Sequence, residues 1–388
     1  MRIKKWIVFG LTFLMAMSVV GCDFGEDELQ ILNTEMYSKE VRDYLLAADD
    51  YEQIMALQSA DVYDKQTTGI SWKKQENVDT YTVILSTDAD MSDKTQYVVD
   101  GSKTEYTFNA LMPNTQYYVK LQSYDKSGKM LRETKAQSFT TQSDFCQRIV
   151  NVDGVSNVRD IGGYGAQGNS KVKYGLIYRG ARLNAITDDG LATFTKELGI
   201  KTELDVRYGT DGGKAVDMEG VDYKQLGMWA YSSILPDTCQ PKSKGAGLFD
   251  VRTIDGIKGV FEAIANPDNL PVYIHCTAGA DRTGTICYLI NGVLGVEYSG
   301  LAQDFELTSF SEQGRRWRSS VKNWEFESDG VMQNDEKNFI AFGQMHSLMM
   351  QWYAPNGETL QGAIENYLTS VCDISMETIE SVRENLLV

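Results

Sequence analysis

Histidine is the scarcest functional residue in this 388-residue chain, which contains only two, His275 and His346. A Cys-His protease needs a histidine base besides its nucleophile, and His346 lies in an apolar helical pattern that favours a structural role. The six cysteines form no C-x-x-C pair and show no His/Cys ligand spacing, which argues against a structural zinc site. Histidine-based proteolysis and zinc binding are therefore not indicated.

Positive charge is also scarce. The chain has 37 Lys and Arg residues against 54 Asp and Glu residues, so its formal net charge is −17. Nucleic-acid binding relies on Lys and Arg to neutralise phosphates, so this composition argues against it. Any phosphate-bearing ligand must be bound by a local positive field.

Long apolar runs are absent after the first 21 residues, so no later segment is predicted to cross a membrane. Residues 1–21 have the form of an export signal, in which the basic "MRIKK" precedes an apolar run. The following "VVGC", which ends at Cys22, resembles the bacterial lipobox, whose cysteine receives lipid and becomes the first mature residue. This resemblance implies an exported bacterial lipoprotein anchored in the membrane at Cys22, on the periplasmic side or at the cell surface. A plain secretory signal and a membrane-spanning anchor are the alternatives.

Two segments precede the part of the chain that carries the chemistry. Residues 22–60 are polar and acidic, and their Leu and Met spacing predicts a tether with one or two short helices. Residues 61–142 contain short alternating runs separated by Asp, Gly, Asn and Ser, which predict an all-β sandwich. Trp72 and "LMPNTQYYVKLQSYD" resemble a fibronectin type III module. The resemblance implies that its aromatic residues form a core and that the module is a spacer or binds another protein or a carbohydrate.

Residues 143–388 alternate strand-like and helix-like segments. Strands are predicted for "KYGLIYRGA", "KTELDVRY" and "LPVYIHC", and helices for "TDDGLATFTKELGI" and "IDGIKGVFEAIAN". Thr187 or Asp188 is the expected N-cap of the first helix, and the stretch after residue 297 is predicted to be mainly helical. This order predicts an α/β domain with a mostly parallel central sheet flanked by helices.

The stretch "HCTAGADRTG" at residues 275–284 lies between a predicted strand and a predicted helix. Such a loop directs successive backbone N–H groups toward one point and forms an anion cradle. Cys276 lies at its base, where these dipoles and the adjacent His275 favour the thiolate. Arg282 adds a planar guanidinium suited to two phosphate oxygens. Thiolate, cradle and arginine together predict phosphoryl transfer through a cysteinyl-phosphate, and the missing Gly-Lys-Ser/Thr argues against a nucleotide P-loop.

This stretch is similar to the signature of cysteine-dependent protein tyrosine phosphatases. "NVRDIGGY", "GLIYRGARL" and "ELDVRY" look like the bacterial tyrosine-phosphatase-like group, which includes secreted dual-specificity and lipid-active members. The resemblance implies Cys276 as nucleophile, Arg282 as phosphate ligand, and a bond from Thr283 to the sulfur. The substrate-binding set that it implies is His275, Thr277, Ala278, Gly279, Ala280 and Thr283. No metal or cofactor is implied, because the arginine and the loop amides supply the charge stabilisation.

The general acid must protonate the departing phenolate and then activate water. The resemblance favours Asp281, the residue just before the arginine. Asp205 in "DVRY" and Asp237 in "ILPD" are the competitors. Asp205 alternatively holds the loop in place, and Asp237 alternatively serves as a turn residue.

Substrate preference is predicted from one departure from that group. Ala280 stands where many members carry a lysine, which argues against substrates with several phosphates. The predicted substrate is a phosphotyrosine protein or a small phosphomonoester. The alternatives are a phosphoinositide or inositol-phosphate phosphatase and a non-catalytic anion-binding lipoprotein. The presence of Cys276, Asp281 and Arg282 together favours an enzyme.

The remaining cysteines are Cys146, Cys239, Cys287 and Cys372. Cys287 and Cys372 lie in apolar helical patterns and are predicted to be buried free thiols. A disulfide among the four is the alternative in an exported protein.

Overall fold

The computed structural model describes residues 29–47, 65–143, 145–211, 216, 218–239, 249–314, 316 and 334–388. These residues divide into two compact units, one lying within 1–30, 71–106 and 118–138 and the other within 31–70, 107–117 and 139–388. The predicted export signal and Cys22 lie outside the described residues. The ranges 61–142 and 143–388 remain predictions from the sequence.

Short strands form the two sheets of the sandwich. They are β1 (Leu29–Asn33), β2 (Gly69–Trp72), β3 (Thr80–Ser86), β4 (Lys94–Asp100), β5 (Glu105–Thr107), β6 (Gln116–Tyr124), β7 (Met130–Glu133) and β8 (Gln137–Thr140). One sheet has the order β1-β2-β5, and the other has the order β4-β3-β6-β7 with β8 paired to β6. Strand β3 is antiparallel to β4 and β6, and β6 is antiparallel to β7. The predicted all-β architecture is confirmed.

Burial in the sandwich follows the alternation of the sequence. Every second residue of β6 is buried, as expected for a strand with one face on a core. Trp72 and Tyr81 are both buried, and their rings meet edge to face with centroids 5.1 Å apart. The predicted core role of Trp72 is confirmed.

Part of the predicted tether is packed structure. Helix α1 (Lys39–Ala47) confirms a short helix there, whereas β1 is a strand that the sequence pattern did not predict. The helix buries Tyr44, whose hydroxyl donates to Glu306 Oε2 at 2.7 Å. The hydroxyl of Tyr37 donates to the carbonyl of Gln147. Tyr37 and Tyr44 are therefore buried within the second unit.

A six-stranded sheet forms the centre of the second unit. Its strands are β9 (Arg148–Ile149), β10 (Arg159–Asp160), β11 (Ile177–Gly180), β12 (Thr202–Asp205), β13 (Asp222–Gln225) and β14 (Val272–His275). Their order is β13-β12-β14-β11-β10-β9. Neighbouring strands are parallel in the pairs β13–β12, β12–β14 and β14–β11. They are antiparallel in the pairs β11–β10 and β10–β9. The predicted mostly parallel sheet is confirmed.

Helices alternate with these strands and continue to the C-terminal end. They are α2 (Asp188–Ala192), α3 (Val251–Ala265), α4 (Asp281–Val293), α5 (Tyr298–Glu306), α6 (Asn334–Tyr353), α7 (Leu360–Ser370) and α8 (Met376–Leu386). Thr187 is the N-cap of α2, and its side chain accepts from the N–H of Gly190. In the part of the chain that the structure describes, no helix has the length and apolarity to cross a bilayer.

The strand register places the functional segment. In the parallel sheet, His275 of β14 lies beside Asp205 of β12 and Gly180 of β11. The residues that follow these three positions leave the sheet at its carboxyl edge, where α/β proteins bind ligands. Helix α4 starts at the same edge, and all its residues from Thr283 onward are buried. The sheet and this core helix hold both ends of the connecting loop.

Candidate active site

The loop at residues 276–280, called here the phosphate loop, connects β14 to α4. The strand predicted for "LPVYIHC" ends at His275, and the helix begins at Asp281. Cys276 is the first residue after the strand, and it is 3% exposed. The cysteine therefore lies at the bottom of the loop, as predicted.

Side chains from outside the loop hold its carbonyl groups. Asn157 Nδ2 donates to the carbonyl of Ala278 at 2.9 Å. Arg179 Nη2 donates to the carbonyl of Gly279 at 2.6 Å and lies 3.4 Å from that of Ala280. These carbonyls are thus tied to the protein interior.

The tied carbonyls determine where the loop N–H groups point. In a trans peptide, the carbonyl of one residue and the N–H of the next point in opposite directions. The N–H of Arg182 donates to the carbonyl of Thr277 at 3.2 Å, so the carbonyl before that of Ala278 is also hydrogen-bonded outside the loop. The N–H groups of residues 278–281 therefore point away from this network and toward the concave side of the loop. This orientation is the one that the predicted anion cradle requires.

A buried ionic network supports Arg179. Asp304 of α5 accepts from Arg159 Nε at 2.9 Å and from Arg179 Nη1. Although burial acts to raise it, the guanidinium groups of Arg179 and Arg159 hold the pKa of Asp304 below its ordinary value. The carboxylate stays charged and fixes the arginine that binds the loop.

Gly279 allows the loop to approach the sheet closely. Its φ is +66°, and a Cβ added there would lie 2.2 Å from the backbone carbonyl group of Gly180. A left-handed conformation and this contact both require glycine. The loop therefore packs directly on the end of β11.

The His275 ring has hydrogen-bond partners at both nitrogens. It is fully buried, with Nε2 2.8 Å from Glu203 Oε1 and Nδ1 3.0 Å from the carbonyl of Cys276. A substrate cannot reach this ring. The position supports a role in holding the backbone of Cys276, whereas the sequence resemblance placed His275 among the substrate contacts.

The other predicted contact residues occupy different environments. Arg282 is half-buried, and its Nη2 lies 3.4 Å from Oγ1 of the exposed Thr277. Ala280 is fully buried. The Thr283 hydroxyl is buried and has no hydrogen-bond partner among the described residues, so the expected bond to sulfur is not formed in this structure. Arg282 and Thr277 are thus the predicted side chains that lie at the mouth of the loop.

Asp205, one of the three candidate acids, forms a bidentate ion pair with Arg207. Its oxygens accept from Arg207 Nε at 2.8 Å and Nη2 at 2.7 Å, and Tyr223 donates at 3.1 Å. Burial opposes ionisation, yet the bonds from Arg207 hold the pKa of Asp205 below its ordinary value. A buried carboxylate with these partners is suited to holding the strand end.

The other two candidates are more accessible. Asp237 is exposed at the start of a 3-10 turn, and its Oδ1 accepts from the N–H of Phe249 at 3.3 Å. Asp281 is the first residue of α4, and its side chain is 34% exposed. Its carboxylate accepts from the Tyr231 hydroxyl and from Arg316 Nε at 2.9 Å. Of the three carboxylates, Asp281 alone directly continues the phosphate loop.

The side chains that support this site were not predicted from the sequence. They are Asn157, Arg159, Arg179, Asp304, Tyr231 and Arg316. The first three lie in "NVRDIGGY" and "GLIYRGARL", which were recognised as motifs without a role. An arginine within a strand-like apolar run indicates a buried charge, and buried charges need partners. This signal could have identified Arg159 and Arg179 as supporting residues.

The remaining thiols and the second histidine are structural. Cys146, Cys239, Cys276, Cys287 and Cys372 are all free. Cys287 and Cys372 are buried, which confirms the prediction of buried free thiols, and burial raises the pKa of both to about 12. Burial lowers the pKa of His346 to about 4, and its ring stacks on Tyr298 at 4.0 Å. Across the described ranges, no group of three His, Cys, Asp or Glu side chains is arranged to hold a metal ion.

Comparisons with known proteins give relatives of modest identity. A protein of Cupriavidus necator named as a tyrosine-protein phosphatase is 28% identical over 182 residues, covering 42% of this chain and 62% of that protein. A tyrosine-protein phosphatase of Nostoc commune is 27% identical over 149 residues, covering 35% and 49%. The chain thus spans less than two thirds of the length of these relatives. The structural match to the core catalytic domain of the PP-IP phosphatase Siw14 from S. cerevisiae covers 36% of this chain and 75% of that domain's chain. Its sequence identity is 19% and its TM-score is 0.26.

Family models match most of the chain. The model of the fibronectin type III domain matches residues 54–140. That of the tyrosine phosphatase family matches residues 150–388, which contain the phosphate loop and every side chain described around it. The chain therefore belongs to the tyrosine phosphatase family and carries a fibronectin type III domain ahead of its phosphatase domain.

Proposed function

We propose that this protein hydrolyses phosphomonoesters, chiefly phosphotyrosine in proteins, through a cysteinyl-phosphate at Cys276. The observation that carries the proposal is the phosphate loop, whose carbonyls are tied back by Asn157 and Arg179 while Cys276 lies at its base. The inward N–H groups are already oriented before a substrate arrives. Such preorganised donors stabilise the charge that develops on a transferring phosphoryl group.

In the first step, the Cys276 thiolate attacks phosphorus and the bond to the leaving oxygen breaks. Arg282 and the loop N–H groups hold the non-bridging oxygens of the phosphoryl group. Asp281 gives its proton to the departing phenolate. In the second step, Asp281 takes a proton from water, the water oxygen bonds to phosphorus, and the thiolate leaves.

The assignment of the acid to Asp281 is supported by its surroundings. Asp281 is partly exposed and directly precedes Arg282, whereas Asp205 is fully buried. The buried Ala280 supplies no cation to a second phosphate group. We therefore expect higher catalytic efficiency on phosphotyrosine peptides than on polyphosphoinositides, compared at fixed ionic strength.

Two substitutions test the proposed chemistry. Cys276→Ser should abolish turnover and keep binding of a phosphate analogue such as tungstate, because the hydroxyl is a far weaker nucleophile in an intact cradle. Arg282→Lys should weaken both, since an ammonium cannot reproduce the planar fork. Cys146→Ser and Arg383→Lys are matched controls and should keep wild-type phosphate release. Turnover by Cys276→Ser at the wild-type rate would overturn the covalent mechanism.

We also propose that the protein is an exported lipoprotein anchored through Cys22. The basic start, the apolar run and "VVGC" support this proposal. Lipid chains supply the membrane affinity, so Cys22→Ala should leave the protein outside the membrane fraction and without labelled fatty acid. Incorporation of label by this variant would refute the anchor. A partner protein or a carbohydrate is the proposed ligand of the fibronectin type III domain.

A further inference from the structure

The Asp281 carboxylate is bound by two side chains from outside the phosphate loop. Tyr231 donates its hydroxyl to Oδ1, and Arg316 donates Nε to Oδ1 at 2.9 Å and Nη2 to Oδ2 at 3.2 Å. The Arg316 side chain is 10% exposed and that of Asp281 is 34% exposed, so the arginine is largely shielded from water and the carboxylate stays partly accessible. The carboxylate therefore has a defined orientation at the start of α4.

The two carboxylate oxygens of Asp281 are unequally occupied. Oδ1 accepts from both Tyr231 and Arg316, whereas the bond from Arg316 to Oδ2 is the longer of the two arginine contacts. Burial and the nearby Asp281 raise the pKa of Tyr231 far above its ordinary value, so its hydroxyl remains a donor. An ionised carboxylate offers about four lone-pair sites, and the more open ones here belong to Oδ2.

The protein holds Tyr231 in an unfavourable backbone conformation. Its φ is +58°, which is rare for a bulky residue. The N–H of Tyr231 donates to Thr285 Oγ1 at 2.9 Å, and its ring meets Phe305 edge to face at 6.1 Å. These contacts, both with elements beside the loop, fix the hydroxyl on Asp281. Such strain is found where the surrounding structure places a residue for a function.

We propose that Tyr231 and Arg316 are positioning residues that anchor Oδ1 of Asp281 and leave Oδ2 to exchange the catalytic proton. The inference rests on the proposed function and adds residues to it. When the cysteinyl-phosphate forms, the proton on Oδ2 moves to the leaving oxygen as its bond to phosphorus breaks. When water attacks, its proton returns to Oδ2 and the sulfur–phosphorus bond breaks.

Leaving-group dependence tests this role in purified full-length protein. Phenyl phosphate needs a proton on its leaving oxygen, whereas p-nitrophenyl phosphate releases a stable anion without one. A positioned general acid contributes about 10²-fold or more, so Tyr231→Phe and Arg316→Met should each lower kcat/KM on phenyl phosphate about tenfold. On p-nitrophenyl phosphate the loss in kcat/KM should stay below about twofold, because this ratio reports only the steps up to departure of the leaving group.

Matched variants separate positioning from general damage. Tyr353→Phe removes a hydroxyl that lies 3.8 Å from Cys239 Sγ. Arg383→Met removes an ion-paired arginine whose side chain is 15% exposed. Both controls should leave the ratio of the two kcat/KM values at the wild-type level. Arg316→Lys keeps the charge without the fork and should restore part of the phenyl phosphate activity that Arg316→Met loses.

A double-mutant comparison completes the test. In an Asp281→Asn background, Tyr231→Phe should cause no further loss on phenyl phosphate, because it acts through the missing carboxylate. Additive losses, or equal losses on both substrates in Tyr231→Phe and Arg316→Lys, would overturn the positioning role. If the proposed function itself is wrong, the wild-type protein will release phosphate from neither substrate, which is a different result.

Discussion

At the scale of single residues, Asp205 and Asp281 show how surroundings divide the roles of two carboxylates. Both lie at the carboxyl edge of the sheet, yet Asp205 is fully buried against Arg207 and Asp281 is partly exposed. A sequence pattern contains both residues and cannot show this difference. We conclude that Asp205 holds the end of β12, whereas the proton-transfer role falls to Asp281.

Asp205→Asn should therefore destabilise the protein without a leaving-group effect. The change leaves the Arg207 guanidinium buried without its charge partner, at a cost of about 3 kcal/mol in the free energy of unfolding. Asp222→Asn, which breaks the exposed pair with Lys224, should cost less than about 1 kcal/mol. Urea unfolding measures both. A selective loss on phenyl phosphate in Asp205→Asn would move the acid role to Asp205.

At the scale of elements, the phosphate loop depends on segments far apart in the chain. Cys276, Asp281 and Arg282 lie close together in the sequence, so a local motif could predict that they share a site. Arg179 and Asp304 lie 125 positions apart, so no local pattern could show that they meet. The sequence predicted the cradle and its nucleophile, and the structure adds the side chains that orient its peptides.

Gly279→Ala tests the fit between the loop and β11. The substitution is expected to cost about 1 to 3 kcal/mol and to misplace the loop N–H groups, because a Cβ there meets the Gly180 backbone at a positive φ. Gly128→Ala is the control, since Gly128 has φ +79° and nothing lies within 4 Å of the added Cβ. Phosphate release should fall only in Gly279→Ala. Equal activity in both variants would show that the close approach is dispensable.

At the scale of the whole molecule, the fold class followed from strand and helix patterns, but the extent of the second unit did not. Periodicity reports local structure, whereas the described parts of residues 31–70 and 107–117 join this unit through long-range contacts. Gln66 Nε2 donates to the carbonyl of Ile149 at 2.6 Å, and Arg148 Nε donates to that of Leu111 at 3.1 Å. The core of the second unit therefore depends on residues from the segments that the sequence predicted as a tether and a β-sandwich.

A fragment of residues 143–388 should therefore be less stable than one of residues 29–388. Its buried Arg148 and Ile149 lose the partners provided by Leu111 and Gln66, and unpaired buried polar groups are costly. We expect a fall in Tm of about 5 °C or more, measured by circular dichroism at equal concentration. Equal Tm values would show that residues 143–388 fold independently.

The central claim is that Cys276 carries the phosphoryl group during turnover. Its most direct test is rapid acid quenching of the full-length protein during hydrolysis of a phosphorus-labelled phosphotyrosine peptide, followed by peptide mass spectrometry. The account predicts label on the peptide that contains Cys276 and none in Cys276→Ser. Turnover with no label on Cys276, or with label on a different residue, would contradict it.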